Sequence, residues 1–448
     1  MNFLSTWDYP DPPLVTDGVL DLRNVELNSR QTFELNGEWK FYPGIFLMAT
    51  SSNPTVETPT AQEQTIRVPQ AWDGETASQG SEFQYGSYRL QILLNPDNTQ
   101  TLGIRFSWVG NASAVFINGQ LAGSSGHPST TEVEHRGGNL PYSVAIPPDS
   151  KQLDIVVHVS SDQGVGGIYK PVRFGTFEAI QSREALLVGL QLLLCVIALF
   201  NSLYALILYG LGARHQSIGY FLAIMTLMAL STLISDDKLL FQWIEIPYDW
   251  QTKLVRATYL GMVAFLPLVA SHLFPSRIGS RLAKTFAILC ALYLLFVTMA
   301  PHSVVESISP LLVFSFDFFA SVAITSYLLI REVHRDEGVL FLLFTCIAVA
   351  VNMIWSVAML MTPSWEQIHY PFDLIIAILS FSAFWFHRFF RETERSLRLA
   401  CSCQSKSRPV CSSKSRPVWH ADVGRWLVAP KGSLRSFSPL LPPGGGFP

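Results

Sequence analysis

The sequence predicts an all-β jelly roll or β-sandwich, then an all-α seven-helix transmembrane bundle, then a disordered C-terminal tail. Three observations predict it. Seven apolar stretches lie between Ala185 and His387, each near the ~20 residues that cross a ~30 Å hydrocarbon core. The residues before them alternate apolar and polar with a period of two, which is the pattern of strands with one buried face. Charged residues are 15% and apolar residues 49% of the chain, against a usual charged share of ~25%, and the deficit falls in the second half.

The β-rich part extends from Leu14 to Phe177. Phe33, Leu35, Gly37, Trp39 and Phe41 share one face of an extended chain. The same spacing recurs in Tyr88, Leu90, Ile92 and Leu94, in Leu102, Ile104, Phe106 and Trp108, and in Leu153, Ile155, Val157 and Val159. Asn36-Gly37 and Asn118-Gly119 are hairpin signals, because both residues accept positive φ in a type I′ turn. Seven to nine short strands are expected. No cysteine lies in this part, so its apolar core must hold it together.

The expected spans are Ala185–Tyr209, Ile218–Ser235, Ala257–Phe274, Leu282–Ala300, Ile308–Ile330, Val339–Met361 and Tyr370–Phe390. Loop charges orient them. One set of loops carries Arg214, Arg277, Arg281, Lys284, Arg331, Arg335, Arg388, Arg391, Arg395 and Arg398. The alternate set carries Lys238 and Lys253, with Arg256 at a helix edge, among several acids. Cytoplasmic loops hold the Lys/Arg excess, so the β-domain is expected outside and the C-terminus in the cytoplasm.

Few polar side chains interrupt the spans. Asp317 lies near mid-membrane, where an ionisable group costs at least ~2.5–3.5 kcal/mol and must face the bundle interior. It reads either as a switch or ion site, or as a hydrogen-bonded structural acid. Asn201 and Asn352 suit interhelical hydrogen bonds, and Pro267 is expected to kink the third span. No span pattern shows the paired broken helices of many transporters, and no H-E-x-x-H pair occurs.

A family resemblance rests on specific segments. Phe33–Phe46 (FELNGEWKFYPGIF), Val68–Gly74 (VPQAWDG), Tyr85–Leu94, Ser113–Gly126 (SAVFINGQLAGSSG) and Leu153–Gly175 resemble the galactose-binding-type jelly roll. That module followed at once by seven helices resembles the bacterial seven-transmembrane receptors with diverse intracellular signalling modules, over roughly residues 14 to 395. The resemblance implies an inner-membrane sensor with a periplasmic domain that binds a carbohydrate or other small molecule. It also implies a homodimer and a cytoplasmic signalling partner, with a kinase, diguanylate cyclase or phosphatase as the output. Sugar sites set aromatic faces beside amides and acids, which makes Trp72, Asp73, Tyr85, Trp108, Asn111 and His127 the ligand-binding candidates. Trp72 and Trp108 would serve equally well as core anchors.

Five segments follow from these readings: a disordered lead (1–13), the sandwich (14–177), the helical domain (184–390), a cytoplasmic exit helix (391–400) and a basic tail (401–448). Met1–Thr16 has no signal-peptide pattern, so either the true start lies upstream or the first helix acts as a late signal anchor. The tail holds Lys406, Arg408, Lys414, Arg416, Arg425, Lys431 and Arg435 against the single acid Asp422. Cys403–Val410 and Cys411–Val418 are near-duplicates, and no Gly-Gly-Asp-Glu-Phe or Walker pattern follows. The tail reads as an anionic-lipid or partner contact, or as a frame-shifted end that replaced an output module. No catalytic residue, metal site or cofactor is expected, and the acidic body excludes nucleic acid as a partner. As it stands the chain is expected to be no enzyme. Two rival readings are a transporter or membrane enzyme with an outer recognition domain, and a truncated, signalling-dead fragment of a sensor.

Overall fold

The computed structural model describes residues 13–47, 63–72, 83–148, 150–162, 166–210, 216–235, 237–300, 310–333, 338–361 and 370–407. The lead, Asp73, and the tail beyond Ser407 lie outside the described residues.

Thirteen strands are described, more than the seven to nine expected, because segments as short as β2 (three residues), β5 and β12 (two each) pair as well. The larger sheet holds β1 (Val19–Leu22), β3 (Gly37–Pro43), β4 (Gln64–Val68), β6 (Gln84–Leu94), β8 (Ala112–Ile117), β9 (Gln120–Ser125) and β11 (Gln152–Ser161). Its order is β4-β3-β6-β11-β8-β9, and β1 pairs with β6 in parallel. The second sheet holds β2 (Thr32–Glu34), β7 (Leu102–Phe106), β10 (Tyr142–Ile146) and β13 (Arg173–Thr176), in the order β10-β7-β13-β2. β5 (Gln70–Ala71) and β12 (Gly167–Ile168) form a small third pair.

The two large sheets share one core. Leu90, Ile92, Leu153, Ile155, Val157 and Val159 come from the larger sheet, Ile104, Phe106 and Phe174 from the smaller, and all lie in one buried cluster. The sequence alternation put these residues on inner faces correctly. The two Asn-Gly signals had different outcomes. Asn118 (φ 48°) and Gly119 (φ 87°) join β8 to β9 as the expected hairpin. Asn36-Gly37 is instead where the chain leaves the smaller sheet for the larger. Gly37 has φ 136°, and a Cβ there would lie 2.3 Å from the Val15 carbonyl oxygen. Glycine is required at that position by the close approach of a second backbone rather than by a turn.

β13 leads without a linker into α1 (Phe177–Gly210), whose first turn is capped by Thr176 Oγ1 accepting from the Ala179 amide at 3.3 Å. The helices that follow are α2 (Gln216–Ile234), the short α3 (Leu239–Trp243), α4 (Tyr248–Leu273), α5 (Arg277–Met299), α6 (Pro310–Ile330), α7 (Val339–Met361) and α8 (Tyr370–Ser407). The seven long helices match the seven apolar stretches. α1 and α4 begin well before their expected spans, because their first turns are polar and hydropathy cannot register them. α4 continues through Pro267 as one helix, and α8 continues past the compositional break at Cys401.

Among the described residues, α1, α2, α4 and α5 are long and apolar enough to cross a membrane, and α6 and α7 contribute shorter apolar segments. α1 exposes Leu193, Val196, Leu199, Phe200 and Leu203, and α5 exposes Ile288, Leu289, Leu292 and Leu295. Apolar faces that long are stable only against lipid or another apolar surface. The bundle interior is built by contacts such as Phe221 against Phe381 and Trp385, at ring separations of 5.1 and 5.3 Å.

Candidate functional site at the junction of sandwich and bundle

The sequence candidates divide into three groups. Trp72 is 5% exposed and packs against Phe41, and its Nε1–H donates to the Tyr88 hydroxyl at 2.6 Å. Its indole is committed to the core. Tyr85 is half-buried on β6, packed against Phe46 and Phe83. Trp108, Asn111 and His127 lie on loops at one end of the sandwich, and the structure brings these three into one region.

Asn111 is buried in a left-handed conformation (φ 59°) and its Nδ2 donates to Asp162. His127 is exposed and pairs through its backbone with Arg136. Next to them, His135 Nδ1 lies 2.8 Å from Ser160 Oγ, and His135 Nε2 lies 3.8 Å from Asp162. Burial pushes the His135 imidazole below its ordinary pKa. The order serine, histidine, aspartate resembles a nucleophilic triad, but Ser160 is fully buried and its Oγ accepts from the Ser129 amide. The group braces the loops and leaves no hydroxyl for a substrate to reach. Among the described residues, no cluster of three His, Cys, Asp or Glu is placed to hold a metal ion.

One end of the sandwich meets the start of α1 and the α2–α3 connection. Arg105 of β7 is 7% exposed and reaches two carboxylates, Glu184 of α1 and Asp237 between α2 and α3, each at 2.5 Å. Ser143 of β10 accepts from Arg105 at 3.1 Å and donates to Glu184 at 2.9 Å. One guanidinium thus ties the smaller sheet to two points of the helical domain, with the paired, multiply bonded geometry a buried charge requires. Gly137 packs between Asn111 and Tyr248 at the start of α4, and a Cβ there would meet both.

Lys238 completes the contact. It holds a left-handed backbone (φ 50°) at the start of α3, and its Nζ donates to the Asn139 carbonyl oxygen at 2.6 Å. With its amide oxygen turned inward, Asn139 also accepts from Trp108 Nε1 at 2.6 Å and from Lys238 at 3.3 Å. Trp108 is 39% exposed and packs on Tyr169 at 5.2 Å. Burial, with Lys170 adding like-charge repulsion, pushes the Lys238 ammonium down to about 7. The sequence reading named Trp108 but missed Arg105, Lys238 and Asn139. An arginine in the otherwise apolar run Leu102–Phe106 was the one available signal.

Within the bundle, Asn201 of α1 donates to the Ile197 carbonyl at 2.8 Å and accepts from Ser382 of α8 at 2.7 Å, which is the expected interhelical bond. Gln191 of α1 donates to the Thr232 and Ser235 carbonyls at the end of α2, at 2.5 and 3.0 Å. Asp317 is partly buried in α6, within electrostatic reach of Tyr259 and Cys290. The Asn352 side chain lies outside the described residues.

A sandwich docked through buried charges onto helices with lipid-type faces defines a membrane protein with a fused β-sandwich domain. Residues 187–394 match the family described as 7TM diverse intracellular signalling, so the resemblance read from the sequence holds over the helical segment. No curated protein matches the chain. Among solved structures, a Bacteroides uniformis beta-glucuronidase is 24% identical over 32% of this chain and 18% of its own, with a TM-score of 0.25. A Faecalibacterium prausnitzii beta-glucuronidase is 18% identical over 34% and 32%, at 0.25. An Eisenbergiella tayi GH2 beta-galacturonidase is 18% identical over 35% and 26%, at 0.22. The chain spans less than a third of the length of each of these three enzymes.

Proposed function

We propose that this protein is a bacterial inner-membrane receptor. All seven long helices cross the membrane, the sandwich lies in the periplasm, and the C-terminus enters the cytoplasm. The sandwich binds a small carbohydrate or related ligand at its bundle-facing loops. The helices then pass the change to a cytoplasmic signalling module, within a homodimer.

The observation that carries this reading is the Arg105 clamp, supported by the unbroken passage from β13 into α1. A ligand moves a two-state protein only through unequal affinity for the two states, and ~5.5 kcal/mol of difference reverses a 1:99 population. A sandwich on a flexible tether could not deliver such a difference to the helices. Here any shift of β7 must be met by α1 and by the α2–α3 connection, because both hold the same guanidinium. From α1 the path to α8 is the Asn201–Ser382 bond.

The test uses the full chain in nanodiscs, with a spin label on α8 and a panel of neutral and acidic glycans. A glycan that gives saturable binding in calorimetry should also change the label's spectrum. Binding that leaves α8 unchanged would reduce the sandwich to an adhesion domain. No binding across the panel would remove the carbohydrate reading.

A further inference from the structure

We propose that α4 is hinged at Pro267, and that the half of the helix beyond the proline swings into a small apolar void and so repacks α8. The hinge stands without a ligand, and its use in signalling rests on the receptor reading above.

The pivot is built around a missing donor. Proline has no N–H, so Pro267 cannot return a helix bond to the Val263 carbonyl four residues back. Away from water such a carbonyl must be met by another group, and a serine or threonine of a neighbouring helix is one source. Ser321 of α6 is 1% exposed, and its Oγ donates to the Val263 carbonyl oxygen at 2.7 Å. Thr325, one turn further along α6, donates from Oγ1 to the Ser321 carbonyl oxygen at 2.7 Å. α4 runs through Pro267 as one helix, but one of its own rungs is replaced there by a bond to α6. A helix bends most readily where its ladder is interrupted, and the bond to Ser321 keeps the bending point in place.

The two halves of α4 are packed differently. Before the proline, Gln251 donates to the Ile246 carbonyl oxygen at 2.8 Å, and Lys253 donates to the Thr298 carbonyl oxygen of α5 at 3.3 Å. Gly261 lets α2 approach so closely that a Cβ there would lie 2.8 Å from Leu227 Cδ1. Val263 joins Phe286, Cys290 and Phe318 in one apolar cluster. Beyond the proline, Val269 and Ala270 border a void shared with Leu329 of α6, Leu342 and Cys346 of α7, and Phe381 of α8. It leaves about 10 Å³ for the centre of a water-sized sphere. The side-chain bond near this end of α4, between the Tyr220 hydroxyl and His272 Nε2, is long at 3.3 Å.

Atoms that line a void lack partners on one side, so a swing of α4 that fills it regains contacts. Helices in two-state proteins shift by ~1–2 Å, which suits a gap of this size. Phe381 carries the change into α8. It borders the void and packs on Phe221 at 5.1 Å, and Phe221 also touches Trp385 at 5.3 Å. At its other end α4 meets the sandwich, where Gly137 packs against Tyr248. One helix therefore links the junction to the void, by a route separate from the Asn201–Ser382 bond.

The test needs no ligand. The full chain is labelled with fluorotryptophan in detergent micelles and followed by fluorine NMR under pressure, with the Trp385 signal assigned through Trp385→Phe. At low temperature Trp385 should give two signals, one for each position of α4. Closing a void the size of one water, ~30 Å³, should raise the closed population roughly fourfold at ~2 kbar. Ala270→Val fills the void and should leave one signal with no response to pressure. Pro267→Ala returns an N–H to Val263, stiffens the helix and should also leave one signal. If neither variant folds, the pressure response of the unaltered chain decides.

A single Trp385 signal at every temperature and pressure would overturn the two positions. Two signals whose ratio ignores pressure and Ala270→Val would overturn the role of the void. Two signals that persist in Pro267→Ala would overturn the hinge. Each of these outcomes leaves the receptor reading to the glycan panel.

Discussion

His158 lies within β11 with its ring flat against Phe46 at 4.4 Å, and its Nε2–H donates to the Leu47 carbonyl oxygen at 2.9 Å. Burial pushes its pKa below the ordinary 6.5, and the bond to Leu47 only partly opposes that. The folded state therefore releases this proton at a lower pH than the unfolded chain does. Between the two values the unfolded state binds more protons, so stability rises with pH there and is lost as acid enters that window. His158→Gln keeps a donor for Leu47 and removes the titration. The melting temperature of the full chain should then fall less steeply than wild type below about pH 6.5, and an unchanged slope would assign the acid sensitivity elsewhere. Gly37 makes a second residue-scale case. Alanine there meets the Val15 carbonyl oxygen at 2.3 Å with φ at 136°, and strain with overpacking should cost about 3 kcal/mol. Thermal unfolding of Gly37→Ala measures this, and a loss under ~1 kcal/mol would mean that the Val15 segment moves aside freely.

At the scale of elements, the junction depends on one side chain. Arg105→Met removes the guanidinium that Glu184 and Asp237 share. Breaking a buried pair costs about 3 kcal/mol, and the lower end applies because Glu184 is 35% exposed. Adding Glu184→Gln should restore part of the loss, since one of the two acids that shared the guanidinium then carries no charge. A cycle of the two single variants and the double, followed by unfolding in detergent, should give a coupling energy above about 1 kcal/mol. Strict additivity would show that the residues do not act together. These pairs also explain what could be read in advance. Long apolar runs have few fates other than a bilayer, so the helices were placed to within a few residues at most ends. Strand faces followed from alternation alone. Arg105 and Asp237 are separated by 132 positions, and nothing local in either segment announces its partner. Lys238 looked like an ordinary cation in the loop set that is poor in Lys and Arg. Only the fold shows that Asn139 and Trp108 converge on it. Asn36-Gly37 misled for a related reason, because the residue requiring its glycine, Val15, lies in a different segment of the chain.

For the whole molecule, orientation is the property on which every functional statement depends, and the cysteines can report it. Cys195, Cys290 and Cys346 are buried within the bundle and should resist a membrane-impermeant maleimide on either side. Cys401, Cys403 and Cys411 follow the Arg-rich stretch Arg388 to Arg398, which the positive-inside rule assigns to the cytoplasm. The sandwich has no cysteine, so a single reporter suffices there. Ser124 on β9 is exposed, so Ser124→Cys should fold normally. In intact spheroplasts the maleimide should modify Ser124→Cys and leave the tail thiols free. After permeabilisation, the tail thiols should react as well. Labelling of the tail without permeabilisation would require an even number of crossings or a reversed insertion. A reversed insertion would separate the junction from any periplasmic ligand, because Lys238 and Trp108 would then face the wrong compartment. The loop charges argue against a count of six reached by losing α4, which would place Arg277, Arg281 and Lys284 on the same side as Asp237 and Asp249.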